Sequence, residues 1–416
     1  MKIAVLTLGC KTNQAESNQI KNAAVSSGHS IVTLKDSPDV CIINTCTVTA
    51  KSDYQSRQMI RRALRTGAEV LVTGCYSELR ADEVLSVSPG LKIVGNRDKS
   101  NIISMLGINS GTGSSAYFSD RSRPFVKIQD GCNYSCSYCT IPEARGRSRS
   151  RPPEEIVSEV RMLENKEFAE VVLTGIHIGH YGYDLKPKVS LSDLLSNILK
   201  DTNKVRIRLS SIEANEIDGR LLDILSDDRV CPHLHIPLQS GDDAILGRMR
   251  RPYDRRYYVG KTEEILKRHP GIALGTDVIV GFPGEGEAEF ENTRRLIEEL
   301  PFSYLHIFPY SDRPGTPSSE MSGHVSPEVK KERTSALRGI DSAKRRAYRE
   351  AQIGSSLNVV CEKRLRNGLY TGKSENYLNI YFANASCQPG RAVRIWISEG
   401  FQDGLIGVPL QKRETP

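Results

Sequence analysis

The first hundred residues alternate short apolar runs with longer stretches in which apolar residues recur every three to four positions. Lys2–Leu8, Ser30–Leu34, Val40–Asn44, Val70–Thr73 and Leu91–Val94 read as strands, and Gln14–Ser27 and Ser52–Arg65 as helices. Strand–helix alternation at this spacing predicts a parallel sheet covered on both faces. The segment INSGTGSSAYFSD, 108–120, is rich in Gly and Ser with little periodicity and is expected to be a linker.

A second alternation follows. Its candidate strands are Phe125–Gln129, Glu170–Leu173, Val205–Leu209, His233–Leu238, Ile272–Val280 and Tyr304–Phe308, with helices such as Pro153–Asn165 and Glu287–Glu299 between them. Six β/α units predict a full or partial barrel. Pro327–Gln352 reads as a long helix rich in Lys and Arg. The period then shortens: LNVVCEK, LYTGKS, LNIYFA, RAVRIWI and GLIGVPL, within Ser355–Leu410, read as five strands of a small OB-like barrel. The fold class is therefore α/β, with a parallel N-terminal unit (1–107), the linker, a barrel unit (121–352) and a small β-barrel (353–416).

Composition adds bounds. With 416 residues, 38% of them hydrophobic, the chain can bury several cores. No apolar run approaches the roughly 18 residues that span a bilayer, and the start does not read as a signal peptide, so a cytoplasmic setting without membrane association is expected. The net charge of +7 is compatible with a nucleic-acid partner without requiring one. Ten cysteines are too sparse for a disulfide scaffold, which directs attention to metal ligation.

GCNYSCSYC places Cys132, Cys136 and Cys139 in a C-x3-C-x2-C loop directly after a predicted barrel strand. Structural zinc sites ordinarily use four ligands, and ferredoxin clusters give every iron a Cys. Three thiolates on a cubane leave one iron open to chelate a methionyl group, with Tyr138 placed to pack on an adenine; a zinc loop borrowing a distant ligand is the alternative. The loop resembles that of the radical S-adenosylmethionine (SAM) superfamily.

Cys10, Cys46 and Cys75 each end or follow an apolar run, so all three fall on the carboxyl edge of the predicted sheet, where open α/β sheets bind ligands. This arrangement implies a second three-thiolate cluster. Cys41 lies inside a run and reads as packing, as do Cys231, Cys361 and Cys387. LGCKTNQAES, NTCTVT and TGCYS, with IPEARGRSRSRP, RLSSIEANE, HLHIPLQSGDDAILGRMRRPY, TDVIVGFPGE, HIFPYSDRPGTP and YTGKSENYLNIYF, are similar to the methylthiotransferase family over essentially the whole chain. The resemblance implies two 4Fe–4S clusters. Cys132, Cys136 and Cys139 would hold the SAM-cleaving one, and Cys10, Cys46 and Cys75 an auxiliary one bearing the transferred sulfur. It further implies SAM as methyl donor and radical source, a flavodoxin- or ferredoxin-type electron donor, and a C-terminal RNA-binding TRAM-like domain.

Gly175, Glu213 and Gln239 follow predicted barrel strands and either contact SAM or serve turns and strand-end caps. His233 and His235 alternate on a strand and read as hydrogen-bonded core residues. Arg145, Arg147, Arg149 and Arg151 stand at alternate positions and would track phosphates along one edge. Arg248, Arg250, Arg251, Arg255 and Arg256 are interleaved with Tyr253, Tyr257 and Tyr258, and the tail adds Lys363, Arg364, Arg366 and Lys373 with Tyr370 and Tyr377. These favour an RNA partner. Among the family's branches, GCKTNQAES and HIFPYSDRPGTP resemble the one that methylthiolates threonylcarbamoyladenosine in tRNA. Isopentenyladenosine tRNA and a ribosomal-protein aspartate are the alternative substrates, and a non-catalytic iron–sulfur RNA-binding sensor is the alternative of another class.

Overall fold

The computed structural model describes residues 1–106, 119–383 and 387–410; the expected linker lies, apart from 119–120, outside the described residues. Strands β1 (Lys2–Thr7), β2 (Ser30–Ile31), β3 (Val40–Thr45), β4 (Glu69–Gly74) and β5 (Lys92–Val94) form one parallel sheet, ordered β2-β1-β3-β4-β5. β3 is buried along its whole length, as a strand covered on both faces must be. Its alternate residues feed two cores: Val40 and Ile42 pack with Ile3 and Ile20, whereas Cys41 and Ile43 pack with Ile60 and Val72. Helices α1 (Lys11–Ser26), α2 (Ala50–Leu64) and α3 (Cys75–Leu79) follow β1, β3 and β4. β2 is shorter than its apolar run suggested. Thr33 and Asp36 cap each other's backbone there and turn the chain into a 3-10 turn instead.

The second unit holds β6 (Phe125–Lys127), a short pair β7 (Gln129–Asp130) and β8 (Arg149–Ser150), then β9 (Glu170–Thr174), β10 (Arg206–Leu209), β11 (His233–His235), β12 (Ala273–Val280) and β13 (Tyr304–Pro309). The six parallel strands form two three-stranded sheets, β10-β9-β6 and β11-β12-β13, joined by an isolated bridge from Ile207 to Val230. Among the described residues no ladder joins β6 to β13, so the barrel is partial. Val171, Ile207, Leu234, Val278 and Leu305 pack into the core beneath the surrounding helices. The alternate residues Glu170, Arg208, His233, Asp277 and Tyr304 point into the lumen, as the period of two requires.

β14 (Ser356–Arg364), β15 (Tyr370–Ser374), β16 (Asn379–Phe382), β17 (Ala392–Phe401) and β18 (Gly404–Pro409) close into a barrel ordered β14-β15-β16-β18-β17. Closure leaves no unpaired edge. Its core contains Val359, Ile380, Phe382, Ile395, Ile397 and Leu405. Cys361 and Cys387 are not independent packing residues: they form a disulfide in this core, with Cα atoms 6.5 Å apart. Their spacing of 26 residues carried no sign of the pairing, which depends on how the barrel closes. No helix among the described residues is long and apolar enough to cross a membrane.

Candidate active site

Cys10 is the N-cap of α1, Cys46 follows β3 directly, and Cys75 opens α3. The sheet topology therefore brings the three thiols to one edge, where each acts electrostatically on the others. The backbone there is tight. A Cβ on Gly9 (φ +97°) would stand 2.7 Å from the Cys46 sulfur, and one on Gly74 (φ +107°) would stand 2.3 Å from the Thr45 carbonyl. Both positions need glycine, for conformation and for space. Asn13 donates to the Leu8 and Thr45 carbonyls, at 2.8 and 2.9 Å, and so ties two of the cysteine loops together.

Burial pushes the Cys46 thiol up to about 11, and Cys10 and Cys75 add to the rise. Burial likewise raises Cys75, against the pull of Arg145. Three crowded thiols cannot all ionise without a cation to compensate them, and an iron cluster supplies that charge. The donor set fits such a group.

The second trio surrounds a cavity of about 400 Å³ bordered by Cys132, Cys136 and Cys139 together with Arg147, Arg250 and Pro317. The Tyr134 amide donates to the Cys132 sulfur at 3.3 Å, and Arg251 donates to the Cys136 sulfur at the same distance. Burial lifts Cys139 to about 12, with Cys136 and Cys132 contributing. His177 Nδ1 lies 3.4 Å from the Cys132 sulfur and is the neighbour a zinc site would borrow.

The segment after Cys46 meets the barrel at the junction of the two units. Arg313 donates to Thr47 (2.6 Å) and Asp53 (2.7 Å), and the Ala50 amide donates to Ser311 (3.2 Å). At this junction lies a cavity of about 220 Å³ lined by Val48 and Thr49 from the Cys46 loop, Tyr138 from the Cys136–Cys139 loop, and Gln239, Asp277 and Tyr310 from the barrel.

Arg145 is displaced from its expected place on a phosphate-tracking edge. Gly146 ends the short helix Ile141–Arg145 at a positive φ, so the four arginines are not one extended run. The Arg145 side chain is fully buried at the junction. It donates to the Cys75 sulfur (3.2 Å), Glu16 (2.7 Å), Asp130 (2.8 Å) and Asn13 (2.5 Å). Burial alone would raise the Glu16 carboxyl, but Lys99, Arg145 and Lys127 outweigh it and hold it well below the usual carboxylate range. Arg147 and Arg149 are exposed, and Arg151 is half-buried against Glu159.

The second basic group also divides. Arg251, with Tyr253, is buried beside Cys136, and Tyr258 is in the core, so only part of this group faces solvent. Glu213 is paired with Arg251 near Cys136, and Tyr138 and Gln239 border the cavity at the junction of the units. Gln239 holds a left-handed backbone (φ 67°), a strained conformation of the kind that gathers at functional sites. Gly175 packs against Gln129, where a Cβ would come within 2.9 Å of its side-chain oxygen, so its glycine serves strand-end packing. In the tail, Lys363 and Arg364 are exposed, but Lys373 turns inward to donate to Asn379. His233 and His235 both hydrogen-bond the Tyr304 hydroxyl, at 2.8 and 3.0 Å.

Residues 126–297 match the family model described as the Radical SAM superfamily, and residues 2–95 match the one described as Uncharacterized protein family UPF0004. A protein of Bacillus subtilis named threonylcarbamoyladenosine tRNA methylthiotransferase MtaB is 37% identical, over 95% of this chain and 93% of its own. The chain belongs to the radical SAM methylthiotransferase family. A namesake from Aquifex aeolicus is also 37% identical, over 95% of this methylthiotransferase and 100% of its own length. The tRNA-2-methylthio-N(6)-dimethylallyladenosine synthase of Syntrophotalea carbinolica is 29% identical, over 96% and 98%. Among solved structures, the radical SAM methyltransferase TsrM from Kitasatospora setae shares the fold, with a TM-score of 0.57 at 15% identity over 76% of this chain and 77% of that one. Membership makes this chain an enzyme that uses SAM and iron–sulfur chemistry, which sets aside both the zinc loop and the non-catalytic sensor.

Sequence reasoning missed Arg251 and Arg145 as partners of cysteine sulfurs, and Arg313 as a clasp between the units. Their signal was present, because each lies in a segment quoted for its family likeness. Their charge alone suggested a surface.

Proposed function

We propose that this enzyme methylthiolates threonylcarbamoyladenosine in tRNA at carbon 2 of the adenine, using two 4Fe–4S clusters. The observation that carries the reading is the cavity of about 220 Å³ bordered at once by the Cys46 loop and the Cys136–Cys139 loop. Cys132, Cys136 and Cys139 would hold the cluster that binds SAM, and Cys10, Cys46 and Cys75 the auxiliary one. When bound, these groups supply the one-electron cleavage of SAM to a 5′-deoxyadenosyl radical and the sulfur to be methylated and inserted.

The chain's own residues prepare this chemistry. Arg251 and Arg145 set positive charge beside Cys136 and Cys75, which favours the thiolate forms needed for ligation. Tyr138, Val48, Thr49 and Tyr310 wall the cavity and limit water around a reactive intermediate. Tyr138, Glu213 and Gln239 are the proposed SAM contacts, with Gly175 shaping the strand end below them. Arg147, Arg149, Lys363 and Arg364 are the exposed cations offered to the RNA backbone. A small electron-transfer protein of the flavodoxin or ferredoxin type would supply the electron.

Support for this substrate over isopentenyladenosine comes from the 37% identity to relatives named for threonylcarbamoyladenosine, against 29% to the one named for the dimethylallyl nucleoside. Mass spectrometry of nucleosides from bulk tRNA of a deletion strain tests it: methylthio-threonylcarbamoyladenosine should disappear and return on complementation. Its persistence in a strain without a paralogue refutes the assignment.

Gly9→Ala supplies a local check. The added Cβ collides with Cys46, so the variant should lose roughly half of the iron of the reconstituted native enzyme, with SAM cleavage retained. Unchanged iron content would show that the Gly9 contact does not constrain the auxiliary site.

A further inference from the structure

The lower part of the lumen holds two lysines, Lys11 and Lys373, that form no ion pair among the described residues. Three cations from three different units gather around the ring of Tyr377, which enters from the turn after β15. Lys11 Nζ of α1 lies 6.0 Å from the ring centre, Arg208 Cζ of β10 lies 5.3 Å, and Lys373 Nζ of β15 lies 4.7 Å. His233 and Tyr304 complete the surround, with ring centres 4.5 and 5.7 Å from that of Tyr377.

The nearby acids are already committed. Glu170 takes Arg208 at 2.7 Å and also faces Arg123 and Arg206; Glu362 takes Arg123, and Glu375 takes Arg206. Among the described residues, no carboxylate lies within ion-pair distance of Lys11 or Lys373. Arg208 is buried and its Nη1 has no hydrogen-bond partner. Holding half-buried lysines without a counterion, and a buried guanidinium nitrogen without an acceptor, is costly unless something else satisfies them.

We propose that Lys11, Lys373 and the free Nη1 of Arg208 form a carboxylate-binding subsite that recognises the anionic side chain of the modified adenosine. The inference rests on the substrate assigned above, whose threonyl group ends in a carboxylate, whereas an isopentenyl group carries no charge. Place supports it as well as charge. Asp277 lines the cavity at the junction of the units, and His235 links it to the Tyr304 hydroxyl, 3.0 Å from each, with the Tyr304 ring 5.7 Å from that of Tyr377, so the subsite adjoins the position proposed for the base. Lys373 and Tyr377 also border a cavity of about 90 Å³ with Arg345, Arg349, Asn379 and Asp403, whose carboxylate is taken by Asn379 and the Tyr381 hydroxyl. That exceeds the ~10–15 Å³ one water needs and leaves room for a carboxylate. Burial and neighbouring cations bring Lys373 down to about 8, so it remains mostly protonated at neutral pH. Glu362 and Asp403 oppose this fall.

The test uses the full-length reconstituted enzyme and two anticodon stem-loop RNAs, one with threonylcarbamoyladenosine and one with its neutral threoninamide counterpart. The native enzyme should favour the carboxylate in kcat/KM by ~10- to 100-fold, the range for hydrogen bonds to a charged group. Lys373→Gln should lower that preference by about tenfold, and Lys373→Arg should retain it, which a merely structural role would not predict. Equal use of both RNAs by the native enzyme overturns the subsite while leaving the substrate reading intact, and needs no variant. A proportional loss on both RNAs in Lys373→Gln assigns the lysine to the RNA backbone and also overturns the proposal. No product from either RNA refutes the substrate reading and the subsite together.

Discussion

Cys46→Ala is expected to leave reductive SAM cleavage in place and to abolish sulfur insertion, whereas Cys132→Ala is expected to abolish both. Cys46 belongs to the sheet edge and Cys132 to the barrel loop, two separate thiol sets, of which the second borders a cavity of its own. Removing one thiolate from a three-thiolate site removes a ligand that nothing at the sheet edge replaces, since Cys41 is held inside the core with Ile43 and Ile60. 5′-Deoxyadenosine formed under dithionite and methylthio product formed on RNA are the two readouts. Loss of 5′-deoxyadenosine in Cys46→Ala would mean that the auxiliary site chiefly supports the fold of the junction.

Arg145→Met is expected to destabilise the enzyme by about 3–5 kcal/mol, the cost of removing one partner from a buried charge network. The guanidinium is fully buried and spans Glu16 and Asn13 of the N-terminal unit and Asp130 of the barrel. Its loss leaves Asp130 relying on Lys127 at 2.7 Å, and Glu16 on Lys99 and Lys127. Arg145→Lys should recover little, because an ammonium cannot reach four acceptors with the planar geometry of the fork. Denaturant unfolding of the reconstituted protein measures the effect. A midpoint within error of the native one would show that Arg145 does not tie the units together.

Much of the placement of the cysteines was legible along the chain. Apolar runs closed by Gly-Cys or Thr-Cys place thiols at strand ends, and parallel pairing then requires those ends to lie on one edge. The C-x3-C-x2-C loop is local, so its convergence needed only one turn of backbone. The arginines were less legible. Arg145 and Arg149 are both basic residues in one short segment, yet one is buried and the other exposed. What separates them is Glu16, Asn13 and Cys75, between 70 and 132 positions away in sequence. Lys373 was grouped with Lys363 and Arg364 on composition, but it lies on the side of β15 that meets the lumen. Charge counts report how many cations a segment has, and packing alone determines the direction each one faces.

The sequence by itself determined the α/β class, the two cysteine trios, the small terminal β-barrel and the likeness to a methylthiotransferase, because periodicity and motif spacing are properties of neighbouring residues. Tertiary structure alone decided that the barrel stays open between β6 and β13, that the loops following Cys46 and preceding Cys139 border one cavity, and that Lys11, Arg208 and Lys373 meet around Tyr377. Each of these depends on how separate units dock. Docking is governed by buried ion pairs and shape between residues far apart in the chain, to which a linear pattern is blind.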